Sequence, residues 1–165
     1  MRIKVIFTTK EYNPFSWVIR FFDSSDFSHA AFLVEYEVHN KKNYIIHASG
    51  TNVHKTYVND FKDKIVQTID LELSINEISG ALNLFNMYMH TKFDFMSIIG
   101  IGFNRILRVF GYKIKNIFAD QQKTLFCSEF VAIVLKQIGV DLKDFNLELD
   151  GPKKLYEVLK CSHNG

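Results

Sequence analysis

Cys127 stands in the run Thr124-Leu125-Phe126-Cys127-Ser128-Glu129-Phe130, ahead of a strongly apolar helical pattern. A cysteine in the first turn of a helix faces unpaired backbone N–H groups and the positive end of the helix dipole, and both favour thiolate over thiol. The same N–H groups can hold an oxyanion while an acyl group is transferred. A thiolate nucleophile also needs a base, and the base needs a partner that orients it. His29 begins the apolar run Ser28 to Tyr36, and His47 lies within the next one, Asn43 to Ser49. Cys127, His29 and His47 are thus the parts of a Cys-His-X site, recognised by the roles of its members and not by their order in the chain.

Each residue also has an ordinary structural explanation. A lone cysteine is often a small core hydrophobe, and a lone strand histidine is usually half-buried and hydrogen-bonded. The combination carries the chemical reading. His39, His54, His90 and His163 have no comparable partner in the pattern and are expected at the surface. A zinc centre built from Cys127, His29 and His47 lacks any Cys-x-x-Cys, His-x-x-x-His or His-Glu-x-x-His spacing, so no metal is assigned. Gly100 and Gly102 follow no strand and lack the Lys-Ser/Thr of a phosphate loop, so no nucleotide or other cofactor is assigned.

These side chains need a scaffold. Ile3 to Thr8 reads as a short buried strand, and Asn13-Pro14 opens a short helix through Phe21. Ser28 to Tyr36, Asn43 to Ser49, His54 to Val58 and Lys64 to Leu73 are β-branched or aromatic runs separated by polar turns, which predicts an antiparallel meander. A hairpin about Asn40-Lys41-Lys42 carries residue 29 past residue 47 unless they meet diagonally or across a bulge. An even register nevertheless sets both on one face, because strand side chains alternate. Ser74-Ile75-Asn76-Glu77 is a capping box for a helix to about His90. Further helices are expected within Asp94 to Val109, from Thr124 to Ile138 with Gly139 closing it, and from Lys153 to Lys160 behind Asp150-Gly151-Pro152. Strands in one block and helices in others give an α+β domain with helices packed on an antiparallel sheet.

Composition sets the outer bounds. The 165 residues suit a single domain over 1–165, and 47% hydrophobic content with 16 phenylalanines describes a packed globule. Lys+Arg 20 against Asp+Glu 18 leaves a net charge of +2 with both signs interspersed, which argues against a nucleic-acid partner. Two cysteines, Cys127 and Cys161, do not make a disulfide framework. Val5, Ile6 and Phe7 are too short an apolar run for a signal peptide. Phe95 to Tyr112 is interrupted by Asn104, Arg105 and Arg108, short of a membrane span. A cytoplasmic protein is expected. A helix packed in the core is favoured for this stretch over docking at a bilayer.

The order of these features resembles a known family. Ser28-His29 opening a strand, His47 before Ala48-Ser49-Gly50, Phe93-Asp94-Phe95 opening a helix, and Phe126-Cys127-Ser128-Glu129-Phe130-Val131 at a helix start are together similar to the circularly permuted NlpC-like branch of the papain-like cysteine peptidases and amidases. The resemblance runs from about Ile3 to Leu159. It implies a papain-like fold with Cys127 as nucleophile, His29 as general base and His47 as the orienting third residue. Many members carry an acidic residue in the third position, and a histidine there is similar to the lecithin:retinol acyltransferase-like relatives. A tyrosine common before the aspartate of that family segment is replaced here by Phe93. The function so implied is hydrolysis of an amide or related acyl bond, a cell-wall peptide being one such substrate, in a bacterial or bacteriophage setting. A lipid acyltransferase or thioesterase with the same site, and a catalytically idle binding module on this fold, are the alternatives.

Overall fold

The computed structural model describes residues 1–9, 26–37, 42–49, 52–61, 64–89, 127–147 and 150–163. The helices expected after Asn13-Pro14 and within Asp94 to Val109 lie outside these residues. Five strands are described: β1 (Arg2–Thr8), β2 (His29–Glu35), β3 (Tyr44–Ser49), β4 (Asn52–Tyr57) and β5 (Ile65–Asp70). They form one antiparallel sheet in the order β4-β3-β2-β1-β5. Strands β2, β3 and β4 make the expected meander. The expectation that β5 continues it is overturned, because β5 crosses to the far edge and pairs with β1. The crossing segment includes a 3-10 turn, Val58–Asp60, and the buried Phe61, which packs on Ile6, Ala31, Leu33 and Ile45. Burial of that phenylalanine directs the chain over this face, and β5 then satisfies the open edge of β1.

Alternation divides the sheet into two surfaces. Ile3, Val5, Phe7, Ala30, Phe32, Val34 and Ile46 belong to the larger core, which the helices cover. Ile6, Ala31, Leu33 and Ile45 face the other way, under Phe61.

Three helices are described: α1 (Ile75–Tyr88), α2 (Cys127–Gln137) and α3 (Pro152–His163). Helix α1 starts in the expected capping box: Ser74 Oγ accepts from the Glu77 backbone N–H, and the Glu77 carboxylate accepts from the Ser74 N–H. The Ser74 hydroxyl also donates to the Glu77 carboxylate, and this bond together with the one from the Ser74 N–H holds the Glu77 carboxyl below the usual carboxylate range. Helix α2 ends in a Schellman motif: the Val140 and Gly139 N–H groups donate to the Leu135 and Lys136 carbonyls, with Gly139 at φ 93°. A residue with a Cβ is disfavoured at that dihedral. Pro152 supplies the first residue of α3, where its missing N–H costs nothing.

Helix α2 packs on β2 and β3, and its Phe130 meets Phe32 edge to face at 5.9 Å between ring centroids. Phe85 of α1 joins the same cluster, 4.9 Å from Phe32. Truncating a buried phenylalanine of this kind to alanine costs about 3–5 kcal/mol. Among the described residues no helix is long and apolar enough to cross a membrane.

Candidate active site

His29 is the first residue of β2 and His47 the fourth of β3. The β2–β3 ladder pairs Phe32 with Ile46, Leu33 with Ile45 and Val34 with Tyr44, an even register, so residues 29 and 47 share a face and meet diagonally. The diagonal brings the rings together: His29 Nε2 lies 3.1 Å from His47 Nδ1, a hydrogen bond between two nearly perpendicular imidazoles. Both histidines are buried, at 4% and 2% relative exposure. A polar side chain this far from water needs a partner, and each is the other's.

The second nitrogen of His47 is engaged as well. His47 Nε2 lies 3.0 Å from Thr56 Oγ1 on β4. Phe61 stands edge-on to the His47 ring at 4.8 Å, and the His54 ring lies 4.3 Å away on another side. The surface position expected for His54 is therefore corrected. It is directly paired with His47 across the β3–β4 ladder and is half-buried beside it. His54 Nδ1 is 3.1 Å from the Asn52 carbonyl oxygen, which can only accept, so Nδ1 carries a proton. The signal for His54 and Thr56 was present in the β4 run: once 47 and 54 pair, 54 and 56 must share the face of 47. It was missed because the hairpin register was not fixed by the residues alone. His39 and His90 lie outside the described residues.

Cys127 is the first described residue of α2 and is buried at 5% exposure, whereas Cys161 near the end of α3 is exposed. The start of α2 is tied down through Ser128, whose hydroxyl donates to the Asp150 carbonyl at 3.2 Å, ahead of Pro152. Helix α2 reaches the sheet through Phe130, Val131, Val134 and Leu135 in the larger core. Cys127 lies a turn ahead of these residues.

One more polar group sits beside the pair. Thr8 is directly opposite His29 in the β1–β2 ladder and fully buried, and its Oγ1 has no hydrogen-bond partner among the described residues. Also among the described residues, no group of three or more His, Cys, Asp or Glu side chains is placed to hold a metal ion.

The described residues define an α+β protein with helices layered on one face of a five-stranded antiparallel sheet and a buried histidine pair on the other. Neither a family model nor a curated protein matches the chain. Among solved structures it is similar to that of the metalloprotein yiiX from Escherichia coli O157:H7, described as DUF1105, with a TM-score of 0.58 and 19% identity over 98% of this chain and 81% of that one. That likeness concerns the fold.

Proposed function

We propose that the protein is a cysteine hydrolase of the papain-like, permuted NlpC-like kind, acting on an amide or related acyl bond through Cys127, His29 and His47. The observation that supports it best is the buried hydrogen bond between His29 and His47, two residues that core packing alone would not place together. The burial of Cys127 at the start of α2, a helix packed on the two histidine strands, agrees with it.

In this reading the Cys127 thiol passes its proton to His29 and the thiolate sulfur bonds to the substrate carbonyl carbon. The tetrahedral oxyanion is held by backbone N–H groups at the start of α2. The carbon–nitrogen bond then breaks, His29 gives the proton to the departing amine, and an acyl-thioester remains on Cys127. Water, deprotonated by His29, attacks the thioester, releases the carboxylic acid and restores the thiol. The reading makes one geometric demand. His29 and His47 face Phe61 while the body of α2 lies on the opposite face. The thiol therefore has to meet His29 at the Ser28–His29 end of β2, round the end of the sheet.

The test is capture of the acyl-enzyme. Incubation with p-nitrophenyl acetate followed by peptide mass spectrometry should find acetyl on Cys127, with slow loss to water, and far less of it in His29→Ala. Acetyl spread over surface lysines without Cys127, or stoichiometric zinc in the purified protein, would overturn the proposal.

A further inference from the structure

We infer that Thr56 is a positioning residue that sets the direction of the histidine hydrogen-bond chain, and so leaves a bare nitrogen on His29 for the thiol. The inference rests on the hydrolase reading for its purpose but not for its test.

Among the described residues the chain runs from His29 through His47 to Thr56: His29 Nε2 lies 3.1 Å from His47 Nδ1, and His47 Nε2 lies 3.0 Å from Thr56 Oγ1. A neutral imidazole carries one N–H and one bare nitrogen, so each ring donates at one end and accepts at the other. Two directions are therefore possible. If Thr56 donates to His47 Nε2, then His47 donates from Nδ1 to a bare His29 Nε2, and the His29 proton sits on Nδ1. If Thr56 accepts, His47 is protonated on Nε2 and bare on Nδ1, His29 donates from Nε2, and His29 Nδ1 is bare.

Only the second direction suits a base. Nε2 of His29 is occupied by His47, so a proton arriving from a thiol has Nδ1 as its landing place. Once it lands, the imidazolium needs an acceptor for Nε2–H, which a bare His47 Nδ1 supplies. His47 can stay bare there while its own proton has an acceptor at Nε2, and Thr56 Oγ1 stands in that place. A valine at 56 would leave that N–H buried without this acceptor, a state that favours the other tautomer.

The surroundings prevent the ring from escaping the choice by turning over. Phe61 meets His47 at 77° and 4.8 Å, and His54 covers it at 4.3 Å. His54 is itself oriented by its Nδ1–H to the Asn52 carbonyl. A flip of His47 would place ring carbons against both His29 and Thr56. Serine and threonine can both accept at position 56, which gives a conservative control.

The experiment is long-range proton–nitrogen NMR of the full chain with ¹⁵N-labelled histidine, which distinguishes protonated from bare ring nitrogens. Wild type should show His47 protonated on Nε2 and bare on Nδ1, and His29 protonated on Nε2. Thr56→Ser should keep that pattern, and Thr56→Val should convert His47 to the Nδ1–H form or a mixture. Alkylation of Cys127 by iodoacetamide should slow about tenfold in Thr56→Val, the worth of one hydrogen bond, and recover in Thr56→Ser. His47 protonated on Nδ1 in wild type, or an unchanged His47 pattern in Thr56→Val, would overturn the inference. If Thr56→Val does not fold, the wild-type spectrum alone decides. The spectrum does not depend on Cys127, so a protein with the inferred tautomers and an inert thiol would refute the hydrolase reading and leave this one standing.

Discussion

Two polar clusters occupy opposite ends of one sheet face, and they are built on different principles. At one end Lys4 lies between Glu35 and Asp70, with Nζ–O distances of 3.1 and 3.0 Å. At the other, His29, His47 and Thr56 form a chain of hydrogen bonds beneath Phe61. Ile6, Ala31, Leu33 and Ile45 separate the two. The lysine cluster carries full charges, and Asp70 is largely open to water. Its ammonium can only donate and its carboxylates only accept, so the direction of these bonds is never in question. The histidine cluster is buried, and every link has a donor end and an acceptor end. A surface ion pair ties strands together for little energy; a buried directional chain specifies where a proton can go.

That contrast gives predictions of decreasing size. Cys127→Ser or His29→Ala should lower acyl turnover by about a thousandfold or more, measured with p-nitrophenyl acetate, since a nucleophile and its base fail together. His47→Ala should retain measurable turnover, and His47→Asn or His47→Gln should retain more, because an amide oxygen can still accept from the His29 N–H. Equal loss in all three His47 variants would break the account of that residue as an orienting partner.

At the other end, Lys4→Met should cost about 1 kcal/mol or less in urea unfolding, with turnover unchanged. Hydrogen bonds to Asp70 and Glu35 raise the Lys4 pKa above the usual lysine value. Its contribution is therefore complete below the ordinary lysine pKa and lost as pH rises through the raised one. The stability gap between wild type and Lys4→Met should close over that alkaline range, and a gap independent of pH would contradict the ion-pair assignment.

An effect of similar size but opposite sign is expected at Thr8. Its buried hydroxyl has no partner among the described residues, so Thr8→Val should raise unfolding stability by about 1 kcal/mol and leave turnover alone. A fall in turnover in a folded Thr8→Val protein would instead assign that hydroxyl to the histidine end.

The two ends were not equally legible in the chain. Ile3 to Thr8, Ser28 to Tyr36 and the Ser74-Ile75-Asn76-Glu77 box declared themselves because strand alternation and helix capping are local. The shared face of His29 and His47 followed from parity for an even register, which the β2–β3 ladder has. Their diagonal contact did not, since it depends on which residues pair, and neither did the passage of β5 to the far edge, since that depends on where Phe61 buries itself. His54 and Thr56 became visible only once β4 was registered against β3. Long-range pairing is where period-two reasoning stops.

The most direct test of the central claim is a competition between the two thiols of the folded protein. Cys161 is exposed and Cys127 is buried, so accessibility alone would direct iodoacetamide to Cys161. If His29 activates Cys127 at the start of α2, limiting reagent near neutral pH should label Cys127 first, and His29→Ala should hand the preference back to Cys161. Labelling of Cys161 first in the wild-type protein, unchanged by His29→Ala, would contradict the account.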